Sequence, residues 1–383
     1  MNAIKRSANI LVVDDNPANL RLLSQILGER GHHVRAVTSG LRALESVRMD
    51  PPDIILLDIR MPGMDGYEVC EQLKATPESA NLPILFISAL DEIQDKVRAF
   101  SAGGQDYITK PFQLEEVIAR VETHLALHAL QQHLEEANRR LERELLLAAK
   151  VQASFMPGKL PELPGWDLSV SLLPAKLTSG DFYDAVLLPG GALAILIADV
   201  VDKGVGAALY MAMSIALLRA AIAEFPDQPA TVCKAVSRQL HEYAGGGQFV
   251  TVFLGVLEPG SGLLVYSNAG HNPPLLLSST APEAPLLLKN TGMALGVLED
   301  STWQSGRVQI ERGDALILYS DGITEAEDEK HEFYQMQRLM EVARKNAGRP
   351  AAAIRDAILG SVQQFMGGAE QSDDIALLVV VRE

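Results

Sequence analysis

Residues 10–15 read Ile-Leu-Val-Val-Asp-Asp, and the fold of the first third of the chain follows from them. Four consecutive apolar residues ending in two acids describe a strand buried on both faces, with its carboxylates at the C-terminal tip. Asn16-Pro17 then opens a helix over 18–30, closed by Gly31. The alternation repeats outward from there. Strands are expected over 33–37, 54–57, 83–87 and 107–109, ending at Ser39-Gly40, Asp58, Ser88 and Lys110-Pro111. Five strands alternating with helices imply a doubly wound α/β sheet.

In such a sheet the functional crevice lies beyond the carboxyl ends of the strands. Here those ends carry Asp14, Asp15, Asp58, Ser88 and Lys110. Each alone reads as an ordinary polar residue at a strand end. Together they read differently, because three converging carboxylates repel each other and a divalent cation with hard oxygen ligands relieves that repulsion. A central carboxylate can attack a phosphoryl donor to form an acyl phosphate. A hydroxyl and an ammonium beside it can bind the phosphoryl oxygens.

LVVDDNPANLRLL, IILLDIRMPGMDGYEVC, PILFISA and YITKPF resemble the motifs of two-component response-regulator receiver domains, over residues 8–124. The resemblance implies a flavodoxin-like (βα)5 fold, with Asp58 as phosphoacceptor. It implies an Mg2+ site in which Asp15 is a direct ligand, Asp14 assists, and Asp58 and the backbone carbonyl of Arg60 complete the set. Ser88 and Lys110 would bind the phosphoryl group, and Tyr107 would be the aromatic that changes rotamer on activation. The Lys110–Pro111 bond is expected to be cis, which only X–Pro bonds tolerate cheaply. Two positions depart from the pattern: Ser88 stands where Thr is commoner, and Gly104-Gln105 replace more usual small or acidic residues.

From 125 to 156 the chain runs LALHALQQHLEEANRRLERELLLAAKVQASFM, without Gly or Pro. Its commonest residues lose little rotamer freedom in a helix. Leu127, Leu130, Leu134, Ala137 and Leu141 alternate steps of three and four, the seam of a coiled coil. Glu144 takes the next position and the seam resumes at Leu145 and Ala148, a break that locally unwinds a supercoil. The stretch reads as a rigid spacer or as a signalling helix. An acid in the seam and a shift of phase favour the second, a parallel dimer whose C-terminal half can change register.

After Pro157-Gly158 short apolar or alternating runs take over. Strands are expected over 168–173, 182–188, 192–199, 251–257, 262–268, 285–289, 302–309, 315–320 and 375–382. Helices are expected over 205–225, 230–243, 335–345 and 351–365. Such blocks imply an α+β fold or an α/β/β/α sandwich. Acids again sit at strand ends: Asp181, Asp199, Asp321 and the Asp373-Asp374 pair. Without a His or Cys cluster, they describe an oxygen-ligand site suited to Mg2+ or Mn2+. Two such ions could hold both oxygens of an in-line phosphoryl displacement. Taken singly, each acid also reads as a turn residue.

AAKVQASFMP, SGDFYDA, IADVVDKGVGAALYMA, FVTVFLGVL, YSNAGHNPPLLL, TGMALGV, YSDGITEA and QSDDIALLVV follow the order of motifs in PPM-type metal-dependent protein Ser/Thr phosphatases. The resemblance is to the bacterial sporulation and stress-response branch (SpoIIE/RsbU type) and spans about residues 148–382. It implies the α/β/β/α sandwich and two Mn2+ or Mg2+ ions. Asp181, Asp199 and the Val200 carbonyl would hold one ion; Asp199, Asp321 and Asp373 would hold the other. Asn268, Gly270 and His271 would lie near the metals, with His271 as a structural histidine or a general acid. Asp184 and Asp374 would stand behind the ligands or in solvent. Ser179 replaces a usual Gly, Val201-Asp202 a usual Ser-Gly, and Ala376 a common Thr; none of these removes a ligand.

The expected layout is a receiver over 1–124, a helical coiled-coil linker over 125–156 and a phosphatase domain over 157–383. Net charge of −16 argues against nucleic acid as a partner, and no basic helix-turn-helix pattern follows the receiver. No apolar run reaches the ~20 residues needed to span a bilayer. The start MNAIKRSANILVVDD shows no cleavage site, so a cytoplasmic protein is expected. Cys70 and Cys233 read as buried, reduced thiols. The resemblances imply a sensor histidine kinase as phosphodonor, a phosphorylated anti-sigma-factor antagonist as substrate, and a homodimer through the linker. The rival reading is a catalytically idle phosphatase fold that sequesters a regulatory partner. Complete ligand acids weigh against it.

Overall fold

The apolar runs with polar tips become parallel strands in the computed structural model, which describes residues 7–89, 93–244 and 247–383. The first six residues of the N-terminal stretch lie outside that description, so the reading of its start as free of a signal peptide is not addressed by it. Two units separate at Arg140/Leu141. The first holds β1 (Asn9–Val13), β2 (His33–Val37), β3 (Ile54–Asp58), β4 (Ile84–Ser88) and β5 (Asp106–Thr109), all parallel, in the order β2-β1-β3-β4-β5. Helices α1 (Pro17–Glu29), α2 (Gly40–Met49), α3 (Gly66–Lys74), α4 (Ile93–Ser101) and the first turns of α5 (Leu114–Ala153) connect and cover them. The strand order reverses between β1 and β3, which opens the crevice at their carboxyl ends.

Period two divides the sheet between two cores. Leu11, Val13, Ile55 and Leu57 pack with α2 and α3, whereas Ile10, Val12, Ile54 and Leu56 pack with α1 and α5. Burying each such side chain contributes about 1.5–3 kcal/mol. Because both faces are covered, β3 and β4 show no polar alternation. Helix α5 is 40 residues long. Val117 and Val121 anchor its start in the core, but Leu127, Leu130, Leu134 and Leu141 are all exposed.

The second unit contains β6 (Trp166–Leu173), β7 (Phe182–Leu187), β8 (Leu193–Val200), β9 (Val250–Glu258) and β10 (Leu263–Ala269). It continues with β11 (Leu275–Leu277), β12 (Leu286–Leu287), β13 (Gly306–Gln309), β14 (Ala315–Tyr319) and β15 (Ile375–Arg382). Its helices are α6 (Val205–Glu224), α7 (Pro229–Ala244), α8 (Asp321–Thr324), α9 (Gln335–Lys345) and α10 (Ala351–Met366). Two antiparallel five-stranded sheets form, β13-β10-β9-β8-β7 and β12-β11-β14-β15-β6.

Alternation along the strands sets the layers. In β8, Leu193, Ile195 and Ile197 face the other sheet, while Ala194, Leu196 and Ala198 face α6 and α7. In β15, Ala376, Leu378 and Val380 face inward, while Leu377 and Val379 meet α9 and α10. The result is an α/β/β/α sandwich, as the block pattern of the sequence implied.

Although no apolar run of ~20 residues was expected, helix α6 has 20 residues and an 18-residue stretch of it reaches a mean hydropathy of 1.8, enough by length and composition to cross a bilayer. Its apolarity has another cause here, because Ala207, Met211, Ile215, Leu218 and Ile222 form the core beneath the β7–β10 sheet.

Candidate functional site

Two groups of acids emerge, one in each unit. In the first, Asp14 follows β1 and is fully buried, Asp58 ends β3 and Ser88 ends β4. Lys110 follows β5, its backbone N–H donating to the Ser88 carbonyl at 2.7 Å. The Lys110–Pro111 peptide is cis. Ligand oxygens of Asp14, Asp15 and Asp58 lie within 4.8 Å of one another, a spacing that suits one hard cation. The Lys110 Nζ donates to Asp14 Oδ2 at 2.8 Å and to Asp58 Oδ2 at 2.9 Å. Burial raises the Asp58 carboxyl above its usual range, and the Lys110 ammonium opposes that rise. Although burial works against it, the Lys110 ammonium is held above its ordinary value by its bonds to Asp14 and Asp58.

Asp14 is held in place by three donors: Asn16 N–H at 2.8 Å, Asn19 Nδ2 at 2.9 Å and Lys110. The role of Asn19 was not read from the sequence, although its position one turn into a helix that starts at the acid pair was a usable signal. Arg60 is exposed, and its backbone N–H supports the charged form of Asp58. Arg60, Asp15 and Arg98 line a cavity of about 500 Å³ beside Asp58. Tyr107 is half-buried, edge-on to Phe100 with ring centres 6.1 Å apart.

In the second unit, strand parity selects which acids face the space between the sheets. Asp199 shares the parity of Leu193, Ile195 and Ile197 and pairs in register with Thr251 of β9. Asp181 precedes β7 and is 2 % exposed. Asp321 is the first residue of α8, just beyond β14, and Asp373-Asp374 precede β15. Ser320 ties these two tips together, since its Oγ accepts from Ala376 N–H at 2.9 Å and donates to the Asp374 carbonyl at 3.3 Å.

The carboxylates feel one another. Burial, then the charge of Asp199, raises Asp181 well above the usual carboxylate range. Asp199 is pushed up to about 7 by burial, then by Asp321, while a hydrogen bond from Asp181 favours its charged form. Asp321 is raised by burial and by Asp373. The Oδ2 of Asp181 is buried without a hydrogen-bond partner. An orphaned carboxylate oxygen among mutually repelling acids fits a divalent cation, and the donor set is all hard oxygen.

Two glycines permit the convergence. A Cβ on Gly180 would lie 3.0 Å from the Val200 carbonyl oxygen. One on Gly322 would lie 1.9 Å from the Asp374 carbonyl oxygen. Lys203 pairs with one of these acids, its Nζ 2.9 Å from Asp373 Oδ2 and 2.8 Å from the Ser372 carbonyl.

Three further residues take roles that the sequence left open. His271 is buried, with Nδ1 2.8 Å from Thr251 Oγ1. Burial lowers its pKa to about 4 against a weaker pull from the Tyr319 backbone, which favours the neutral ring, and its Nε2 is buried without a hydrogen-bond partner. Asp374 is not solvated: its oxygens accept from Ala175 N–H at 2.8 Å and Gly180 N–H at 2.7 Å. Asp184 faces α6 rather than the inter-sheet space and pairs with Arg219 at 2.6 Å. Parity within β7, where Phe182 faces the helices, carried that information.

Comparison with known proteins follows the same division. The family described as Stage II sporulation protein E (SpoIIE) matches residues 189–383, and the response regulator receiver domain family matches residues 10–122. Protein IcfG of Synechocystis sp. is 35% identical over 267 residues, covering 62% of this chain and 41% of that protein. The SiaA-PP2C domain of Pseudomonas aeruginosa superimposes with a TM-score of 0.57 at 20% identity, covering 64% of this chain and 98% of that one. The RsbU and RsbW domains of Rv1364c from Mycobacterium tuberculosis give a TM-score of 0.52 at 25% identity, covering 60% and 63%. The chain spans about a quarter to one half the length of the curated relatives it matches.

Proposed function

Because the chain belongs to the SpoIIE family and carries a receiver domain ahead of its phosphatase-type domain, we propose that it is a phosphorylation-controlled protein Ser/Thr phosphatase of the bacterial cytoplasm. The substrate is a phosphorylated anti-sigma-factor antagonist, and a sensor histidine kinase supplies the receiver's phosphoryl group. Residues 1–124 receive the signal, 125–156 form a dimeric linker, and 157–383 carry the output.

Asp58 attacks the phosphorus of the donor phosphohistidine; the P–N bond breaks, the imidazole leaves with the electron pair, and an aspartyl phosphate forms. Ser88 and Lys110 then bind the phosphoryl oxygens, so Lys110 must exchange a carboxylate for a phosphoryl partner. Tyr107 changes rotamer as that exchange occurs. Asp15, Asp58 and the Arg60 carbonyl, assisted by Asp14, would hold Mg2+. In the output domain Asp181, Asp199 and the Val200 carbonyl would hold one Mn2+ or Mg2+, and Asp199, Asp321 and Asp373 a second. Ions bound there would supply positive charge to the phosphoryl oxygens and acidify water. Water attacks the phosphorus of the phosphoserine or phosphothreonine, the ester P–O bond breaks, and the free hydroxyl and inorganic phosphate leave. Lys203 pairs with Asp373, and the neutral His271 braces Thr251 beside Asp199.

The observation that carries this reading is the mutual electrostatic influence of Asp181, Asp199, Asp321 and Asp373, acids from both sheets, with Asp181 Oδ2 buried and unpaired. An idle binding fold has no use for that costly arrangement. Release of phosphate from a phosphorylated antagonist in Mn2+, lost in EDTA and in Asp199→Asn, is the expected result. Full activity in Asp199→Asn would overturn the site assignment.

A further inference from the structure

The last turn of α5 does more than end a helix. Val151 is more than half exposed and Lys150 and Ala153 are exposed, yet Gln152 between them is only 8% exposed. Its side-chain amide grips a single residue, Ser179, on both sides of the backbone. Nε2 donates to the Ser179 carbonyl, and Oε1 accepts from the Ser179 N–H at 3.1 Å. An amide is suited to this double contact, because it offers a donor and an acceptor side by side.

What Gln152 grips is the approach to Asp181. The Ser179 hydroxyl donates to the Asp181 carbonyl at 3.1 Å, a bond that the glycine usual at this position could not make. Gly180 N–H is held by Asp374 from the other sheet, and its α-carbon lies against the Val200 carbonyl. The three-residue loop is therefore fixed from three directions, and one of them is the linker helix. A second clasp lies nearby: Arg219 of α6 pairs with the buried Asp184 and donates to the Phe155 carbonyl at 2.9 Å. Phe155 and Met156 pack on the core beneath α6.

We infer that Gln152 is a positioning residue through which α5 sets the place of the Asp181 carboxylate in the acid cluster. A helix turns ~100° per residue, so a one-residue change in the phase of the last turn carries the amide away from Ser179. The loop then keeps only its Asp374 and Val200 contacts, and Asp181 is free to leave the cluster. The inference rests on the proposed metal site and names the contact by which the linker reaches it.

Isothermal titration of the full chain with Mn2+, alongside the rise in thermal midpoint that Mn2+ produces, tests this. Gln152→Leu keeps the bulk and removes both bonds. Gln152→Glu keeps the acceptor and places a carboxylate against the Ser179 carbonyl. Both are expected to bind Mn2+ about tenfold or more weakly, the range typical for residues that orient a ligand. The midpoint in EDTA should stay close to wild type while the Mn2+-induced rise shrinks. A merely structural residue would do the reverse, lowering the EDTA midpoint and leaving affinity intact. Asp199→Asn separates the two layers of reasoning. If it binds Mn2+ as wild type does, the metal-site reading fails. If it loses the output-domain site and keeps only the receiver's, while both Gln152 variants keep wild-type affinity at the output-domain site, the positioning role is overturned. Should Gln152→Leu not fold, Gln152→Glu alone decides.

Discussion

Replacing Gly322 with alanine should cripple the output domain without touching a proposed ligand. A Cβ there would sit 1.9 Å from the Asp374 carbonyl oxygen and 2.8 Å from the Asp374 carbonyl carbon. Both are backbone atoms, so no side chain can swing aside to make room. Since a relaxed contact needs about 3.5 Å, the start of α8 and the turn before β15 must part by more than about 1 Å. Those are the segments that carry Asp321 and Asp373. Overpacking of this kind costs about 1–3 kcal/mol of stability, which leaves most of the protein folded. A misplacement of about 1 Å in a reacting site, however, costs on the order of a hundredfold in rate. Initial rates of Mn2+-dependent phosphate release, measured at saturating Mn2+ alongside a denaturant titration, should show that split. A Gly322→Ala protein with wild-type rate would mean that Asp321 and Asp373 need not meet, and the argument for their shared ion would fall.

Asp202 has a left-handed backbone, φ 84°, where only Gly is at ease. Asp202→Gly should leave the fold intact and relieve strain of about 1 kcal/mol, read as a higher urea midpoint; a lower midpoint would show that its side-chain bond to Lys203 N–H outweighs the strain. The acid cluster predicts an unusual pH profile. Asp199 is pushed up to about 7, by burial and then Asp321, and burial also raises Asp181 and Asp321. The folded, metal-free protein thus keeps protons that the unfolded chain releases near pH 4, so this contribution is complete below about pH 4 and is lost as pH rises through about 7. Thermal midpoints in EDTA should fall between about pH 5 and 8, and Mn2+ should flatten that fall by favouring the charged acids. A midpoint in EDTA that rises over the same range would contradict the cluster.

Much of this was legible in the sequence because it is local. Buried parallel strands announce themselves as apolar runs, and β1, β3 and β4 start and stop within a residue of their reading. The acids at strand tips were likewise visible. What escaped was long-range or ambiguous in period. Leu275–Leu277 follows two prolines and forms the short β11, too brief to alternate. The run expected over 302–309 forms a strand only from Gly306, where the close approach of the Tyr266 ring leaves no room for a Cβ. Asp184 was expected behind the ligands or in solvent, and its partner Arg219 on α6 was not legible, because a residue 35 positions away leaves no local mark. Asp374 and Gln152 organise loops 194 and 27 residues away, and no local signal marks such partners. The apolar length of α6 was underestimated for a related reason, since Arg219 interrupts the run yet spends its charge on Asp184.

Under the proposed function, the state of Asp58 governs the chemistry of the acid cluster in the same chain. Phosphate release from a phosphorylated antagonist, in Mn2+, by the full protein with and without beryllofluoride measures this directly, with Asp58→Ala beside it. A rate that changes with beryllofluoride in the wild type and stays constant in Asp58→Ala is the predicted result. Equal wild-type rates in both states would contradict it.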